Sequence, residues 1–144
     1  MEISSRDAGG ATVVDITGKL IGGAENSERF HRLFKTLLTC GERDFVVNLS
    51  DTPWADSQGI GILIGAYTSV MKAEGALVLA APSERICNLL AVTWLDRLFV
   101  VRETVEEALS YLRAATATPG ATRSFMNQSG AAGRSRANRS AVRW

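Results

Sequence analysis

Cysteine, histidine and proline are scarce in this 144-residue chain, which holds two, one and three of them. Cys40 and Cys87 stand far apart, without Cys-x-x-Cys or Cys-x-x-His spacing, so no zinc-type ligand set can be assembled from them. Reduced thiols suit the pair better than a disulfide. The single histidine, His31, leaves a nucleophilic serine or cysteine without an evident base. Long apolar runs are also missing: the longest uncharged stretch, around Ile60–Met71, is short and interrupted by glycine, so no membrane span is expected. The opening MEISSRDAGG lacks the apolar segment of a secretory signal, and a cytoplasmic location follows as the expectation. Finally, acids are absent from residues 118–144, which carry Arg123, Arg134, Arg136, Arg139 and Arg143. Residues 1–117 hold all 15 acids and 11 of the 16 Lys and Arg, a net charge of −4 against +5 for the end.

What is present reads as one domain. ATVVDIT (11–17) has strand alternation after a short extended start, and three glycines in GKLIGG (18–23) break it. Phe30, Leu33, Phe34 and Leu37 fall at helical spacing within Ala24–Leu38. DFVVNL (44–49) is a strand, SDTPWAD (50–56) a loop, and Ser57–Glu74 a second helix. ALVLA (76–80) is a buried-type strand, Pro82-Ser83 opens a third helix to about Ala91, and Leu98–Val101 is a last strand. Thr104-Val-Glu-Glu107 is a capping box that starts a fourth helix. The expected fold is α/β: a mixed sheet of about five strands covered by about four helices. The domain is expected to occupy 1–116. Residues 117–144, rich in Ala, Gly, Ser, Arg and Asn, read as a basic disordered tail whose dilute charge predicts no nucleic-acid contact.

The stretch WADSQGIG (54–61) raises the functional question. Gly59, Gly61 and Gly65 make a GxGxxxG, but seven residues, 50–56, intervene between Leu49 and Ser57, and the end of the next strand is Ala80-Ala81 rather than an acid, against a dinucleotide loop. The GxSxG of a serine hydrolase is absent. Asp56 stands where an N-cap belongs, and Ser57 is then the first helical residue. At 100° per residue, Ile60, Leu63, Ile64, Tyr67, Val70 and Met71 form the expected buried stripe. Opposite lie Ser57, Gly61, Gly65, Thr68 and Lys72, flanked by Ile62 and Ala66. Interior glycine costs a helix up to about 1 kcal/mol relative to alanine, so this bare strip is not there for helix stability. Close approach of the sheet or a neighbouring helix would explain it, as would close approach of another protein. The second is favoured because the strip points away from the apolar face, and a hydroxyl at its edge is placed to be a switch. A phosphate on Ser57 adds nearly two charges beside Asp56. A clash costing about 3 kcal/mol weakens binding more than a hundredfold.

These residues resemble the STAS domain of sulfate transporters and anti-sigma factor antagonists. FVVNLSDTPWADSQGIGIL, GALVLAAPSERICNLLAVTWLDRLFVV and TVEEAL carry the resemblance across about residues 10–113, with Asp56-Ser57-x-Gly59 its most specific element. It implies a non-catalytic binding domain without a cofactor of its own. Unphosphorylated, it binds an anti-sigma factor serine kinase and frees a sigma factor. The kinase, using its own ATP and Mg²⁺, phosphorylates the residue matching Ser57, and a PP2C-type phosphatase restores it. The expected partner-binding residues are Asp56, Ser57, Gly59, Gly61, Ile62, Gly65, Thr68 and Trp94, with no catalytic or metal-binding residue. Two departures stand out: Ile21 follows Gly18-Lys19-Leu20 where the family often has an acid, and Trp94 replaces a common glycine before Leu-Asp-Arg-Leu. The alternative is a STAS scaffold or subunit, in a stress-signalling complex or beside a lipid-transport ATPase, without kinase switching. Nucleotide binding and a weak homodimer are left open.

Overall fold

The structure is a computed structural model that describes residues 1–117; the basic stretch 118–144, and the tail expected there, lie outside the described residues. Strands β1 (Glu2–Asp7), β2 (Thr12–Thr17), β3 (Asp44–Asp51), β4 (Ala76–Ala80) and β5 (Val100–Arg102) form one sheet in the order β1-β2-β3-β4-β5. β1 pairs antiparallel with β2, and the remaining pairs are parallel. Helices α1 (Ala24–Thr39), α2 (Ser57–Lys72), α3 (Glu84–Val92) and α4 (Val105–Ala117) follow β2, β3, β4 and β5. The α/β mixed-sheet expectation holds.

Strand alternation divides the core. Val14, Phe45, Val47, Leu49, Leu77 and Leu79 face one side, where they meet Phe30 and Phe34 of α1, Leu63 of α2, and Ile86 and Leu90 of α3. Val13, Val46, Val78 and Ala80 face the other side, against Ala108 and Leu112 of α4. Each parallel crossover therefore leaves the carboxyl end of a strand, returns along a helix and re-enters at the opposite end. This places the starts of α2, α3 and α4 together along one end of the sheet.

The extended start is the fifth strand of the expected sheet, and every residue of Glu2–Asp7 finds a partner in Thr12–Thr17. Two elements differ from expectation in detail. The last strand begins at Val100 rather than Leu98: residues 95–97 form a 3₁₀ turn, and the Leu98 and Phe99 amides donate to the Leu95 carbonyl instead of to the sheet. The inward face of α2 is also rotated. Gly59, Ile60, Ile62, Leu63, Ala66 and Val70 are buried, while Ile64, Tyr67 and Met71 are only partly covered. With α1 packed against it, α2 is covered by a helix as well as by the sheet, which turns the flank carrying Ile62 and Ala66 inward.

Leu63 sits at the centre of the larger cluster with no exposure. Leu63→Ala is expected to lower unfolding free energy by about 2–5 kcal/mol in urea titrations. A loss below about 1 kcal/mol would mean that α2 does not dock as described.

Candidate functional site

The site is built where the β2–α1 connection meets the β3–α2 connection. After β3 the chain stays extended beside residues 18–20. The Gly18 amide donates to the Asp51 carbonyl at 3.0 Å, the Leu20 amide to Trp54 at 3.0 Å, and the Asp56 amide to Leu20 at 3.1 Å. Thr52, buried, donates its hydroxyl to the Ile16 carbonyl at 2.8 Å and holds the corner. Leu20 itself is fully buried. The two connections thus prolong the parallel pairing of β2 and β3 beyond the named strands, through a Leu20–Ala55 bridge.

Asp56 adopts extended backbone and caps α2, its Oδ1 accepting from the Gly59 amide at 2.6 Å. The same oxygen accepts from the Gly22 amide at 3.2 Å. One carboxylate therefore ties the helix start to the neighbouring loop. Gly59 lies so close to that loop that a Cβ would collide with the Leu20 carbonyl oxygen. Gly22 is equally confined, because a Cβ there would strike the Gln58 side chain.

Ser57 is exposed at the first position of this clamped helix. From it runs the strip read in the sequence. A Cβ at Gly61 or Gly65 would meet nothing within 4 Å, so this chain does not cover the strip. Thr68 continues it, exposed, with its hydroxyl donated back to the Ile64 carbonyl at 2.9 Å. Two of the expected partner-facing residues are not on it. Gly59 is buried against the Leu20 backbone, and Ile62 is only 8% exposed. Both are corrections with one cause: the side of α2 carrying them faces this chain's own loop and core.

Trp94 is exposed, at 64%, but far along the fold from Ser57. It follows α3, which starts at the carboxyl end of β4, and precedes β5, so it lies at the opposite end of the sheet. Its φ of 64° is left-handed, and the Arg97 guanidinium stacks 4.4 Å from its ring centre. One pairing escaped sequence reading: the exposed Lys19 ammonium lies 5.5 Å over the Trp54 ring, while Ile21, singled out in the sequence, is 37% exposed two positions further on. The signal available was the one-residue alternation that follows from a buried Leu20.

No group of three His, Cys, Asp or Glu residues able to hold a metal ion exists among the described residues. Burial, and then the Glu84 carboxylate, push the Cys87 thiol above its ordinary pKa, so it is not an activated nucleophile. No helix among the described residues is long and apolar enough to cross a membrane. What the arrangement offers is an exposed hydroxyl, a rigid helix start that favours negative charge, and a smooth strip beyond it.

Residues 2–108 match the STAS domain family. The chain belongs to that family. A protein of Thermotoga neapolitana, whose name gives it as a candidate anti-sigma factor antagonist, is 33% identical over 86 residues, covering 59% of this STAS chain and 76% of its own length. The crystal structure of a Thermotoga maritima protein with the same candidate designation superposes with a TM-score of 0.70 at 24% identity, over 77% of this chain and 94% of that one. The anti-sigma factor antagonist SpoIIAA in its unphosphorylated form superposes with a TM-score of 0.61 at 18% identity, over 78% and 98%. A phosphorylated form of SpoIIAA gives the same score at 19% identity, over 78% and 100%. At these identities the structural matches show the fold.

The three glycines of α2 should separate by thermal and urea denaturation. Gly59→Ala is expected to destabilise by about 1–3 kcal/mol, since backbone stands in the way of its Cβ. Gly61→Ala and Gly65→Ala should each stabilise by up to about 1 kcal/mol. Equal effects at all three would refute the division. Asp56→Ala should cost about 1–2 kcal/mol.

Proposed function

We propose that this STAS domain is an anti-sigma factor antagonist that works by partner switching in the cytoplasm, as a binding module rather than an enzyme. The observation that carries the reading is the exposed Ser57 at the head of a strip whose Gly61 and Gly65 this chain leaves open. An anti-sigma factor serine kinase lies flat on the strip and in doing so releases its sigma factor. Thr68 borders the contact, and Asp56 shapes it by fixing the helix start. Gly59 and Ile62 serve it from inside the fold. The kinase brings ATP and Mg²⁺, transfers the γ-phosphoryl group to the Ser57 hydroxyl and dissociates; a PP2C-type phosphatase hydrolyses the ester and resets the domain.

The physics of the switch is an asymmetry. A phosphate at the first helical position is favoured by the helix dipole, so the fold tolerates it. A partner seated on Gly61 and Gly65 meets bulk and unpaired charge beside a second carboxylate, Asp56. The relatives named as antagonists, and SpoIIAA in both phosphorylation states, support this reading.

A second reading has its own observation. Ile21 is exposed where the family often places an acid next to the phosphorylated serine, and the nearest charge in that loop is the cation of Lys19. A STAS scaffold that binds its partner constitutively, in a stress-signalling complex or beside a lipid-transport ATPase, needs the strip and no kinase.

Partner capture from the native cytosol with wild type and Ser57→Asp side by side, and mass spectrometry of Ser57 after incubation with the captured kinase and ATP, test the pair. Switching predicts a loss of affinity of more than about a hundredfold for Ser57→Asp, with an unchanged circular dichroism spectrum and Tm. Unfolding of Ser57→Asp sinks the proposal. Retained binding with no phosphate on Ser57 favours the scaffold.

A further inference from the structure

Three of the four exposed large apolar side chains among the described residues fall within seven positions: Val92 at 72%, Trp94 at 64% and Leu98 at 38%. They lie at the end of the sheet remote from Ser57. Trp94 is there at a cost. Its left-handed backbone is worth roughly 1–2 kcal/mol against any residue with a Cβ, and glycine would adopt it freely. An indole kept exposed on strained backbone, with Arg97 stacked on it, has the marks of an anchor.

The other end of α3 offers a place for such an anchor. After β4 the chain turns into α3 on one face of the sheet, and after β5 into α4 on the other. Adjacent strands whose helices depart to opposite faces leave a crevice at their carboxyl ends. Here it is a cavity of about 540 Å³, with Ala81, Pro82, Cys87 and Val101 as apolar lining and Glu103 and Glu107 as carboxylates. Its own cation, Arg102, is engaged: its guanidinium lies 4.7 Å from the Tyr111 ring centre and donates to the Val101 carbonyl at 2.9 Å. The crevice therefore suits an apolar group accompanied by a positive charge. Ser83, which caps α3 and donates to the Pro53 carbonyl at 3.0 Å, keeps its wall in place.

We propose that Trp94 of one copy of this chain seats in the β4–β5 crevice of a second copy, with Arg97 facing Glu103 and Glu107. The chemistry of both halves is on one molecule, and neither half is used by the switch, so the contact stands independently of the function proposed above. We take the contact as head to tail, a heterologous arrangement in which each copy joined leaves a free knob and a free crevice. The surface covered is little more than the indole with Val92 and Leu98, well below the about 800 Å² per partner of a standard interface. The association is consequently weak and grows with concentration.

Sedimentation equilibrium of the full chain tests this. Wild type should show an average mass that rises with concentration and passes the dimer without a plateau. Trp94→Gly removes the knob and relaxes the backbone, so its Tm should hold or rise while its dissociation constant increases about thirtyfold. Cys87→Arg, at an exposed position of α3, blocks the crevice with bulk and like charge and should have the same effect on association. Mixed in equal amounts, the two monomeric variants should form a one-to-one complex and nothing larger, because one retains the crevice and the other the knob. Wild type that stays monomeric at millimolar concentration overturns the proposal, whatever other protein Trp94 then serves. So does a variant mixture that fails to combine, or Cys87→Arg that associates like wild type.

Discussion

The Leu20 carbonyl is the point about which the site is organised. It accepts from the Asp56 amide, and it stands where a Cβ of residue 59 would have to be. Its own side chain is sealed in the core. One peptide group thus fixes how closely the β2–α1 connection approaches α2, and only glycine at 59 permits that distance. The Asp56 carboxylate completes the clasp by serving an amide from each side, Gly22 and Gly59. A helix start held in this way does not fray as free termini do. An added charge at Ser57 then changes what the surface admits without changing how the helix begins.

That constraint separates two uses of glycine within seven residues of one helix. Gly59 faces inward and is required by the fold. Gly61 and Gly65 face outward and weaken the helix without any return inside this chain. On the function proposed above, a glycine that costs stability and meets nothing of its own protein is explained by a foreign surface, whereas one that meets backbone is explained by packing. Helical spacing alone treats the three alike; only the position of Leu20 tells them apart.

Most of the architecture was legible from pattern. Alternation in Ala11–Thr17 and Asp44–Leu49, the cap at Asp56, the helix stop before Ala76 and the capping box at Thr104 are local signals, and local chemistry decided those elements. Exposed Ser57, Gly61, Gly65 and Thr68 were legible too, since polarity and periodicity agreed about them. What was not legible depended on neighbours distant in the chain. Ile62 looked peripheral because a single buried stripe was assumed, yet α1 adds a second covering surface on that flank. Gly59 was grouped with its outward neighbours because its partner, Leu20, lies 39 positions earlier. The second role of Asp56 was hidden for the same reason, as Gly22 is 34 positions away.

Non-glycine residues with left-handed backbone sharpen the distinction between the two ends of the sheet. Glu74, Ala81 and Trp94 have φ of 62°, 55° and 64°. Glu74 ends α2, where such geometry closes a helix and its Gly75 neighbour approaches the Arg43 carbonyl too closely for any side chain. That conformation is explained locally. Trp94 closes α3 in the same way, directly after its Thr93 C-cap, but with an exposed indole, and Ala81 precedes α3 at the mouth of the crevice. Fold closure alone would be served better by glycine at either position. Within the isolated chain the exposed indole has the Arg97 stack to set against that strain, and in the association proposed above a second copy covers it. The Ser57 end achieves its geometry by strict internal fit, and the Trp94 end retains strain and exposure.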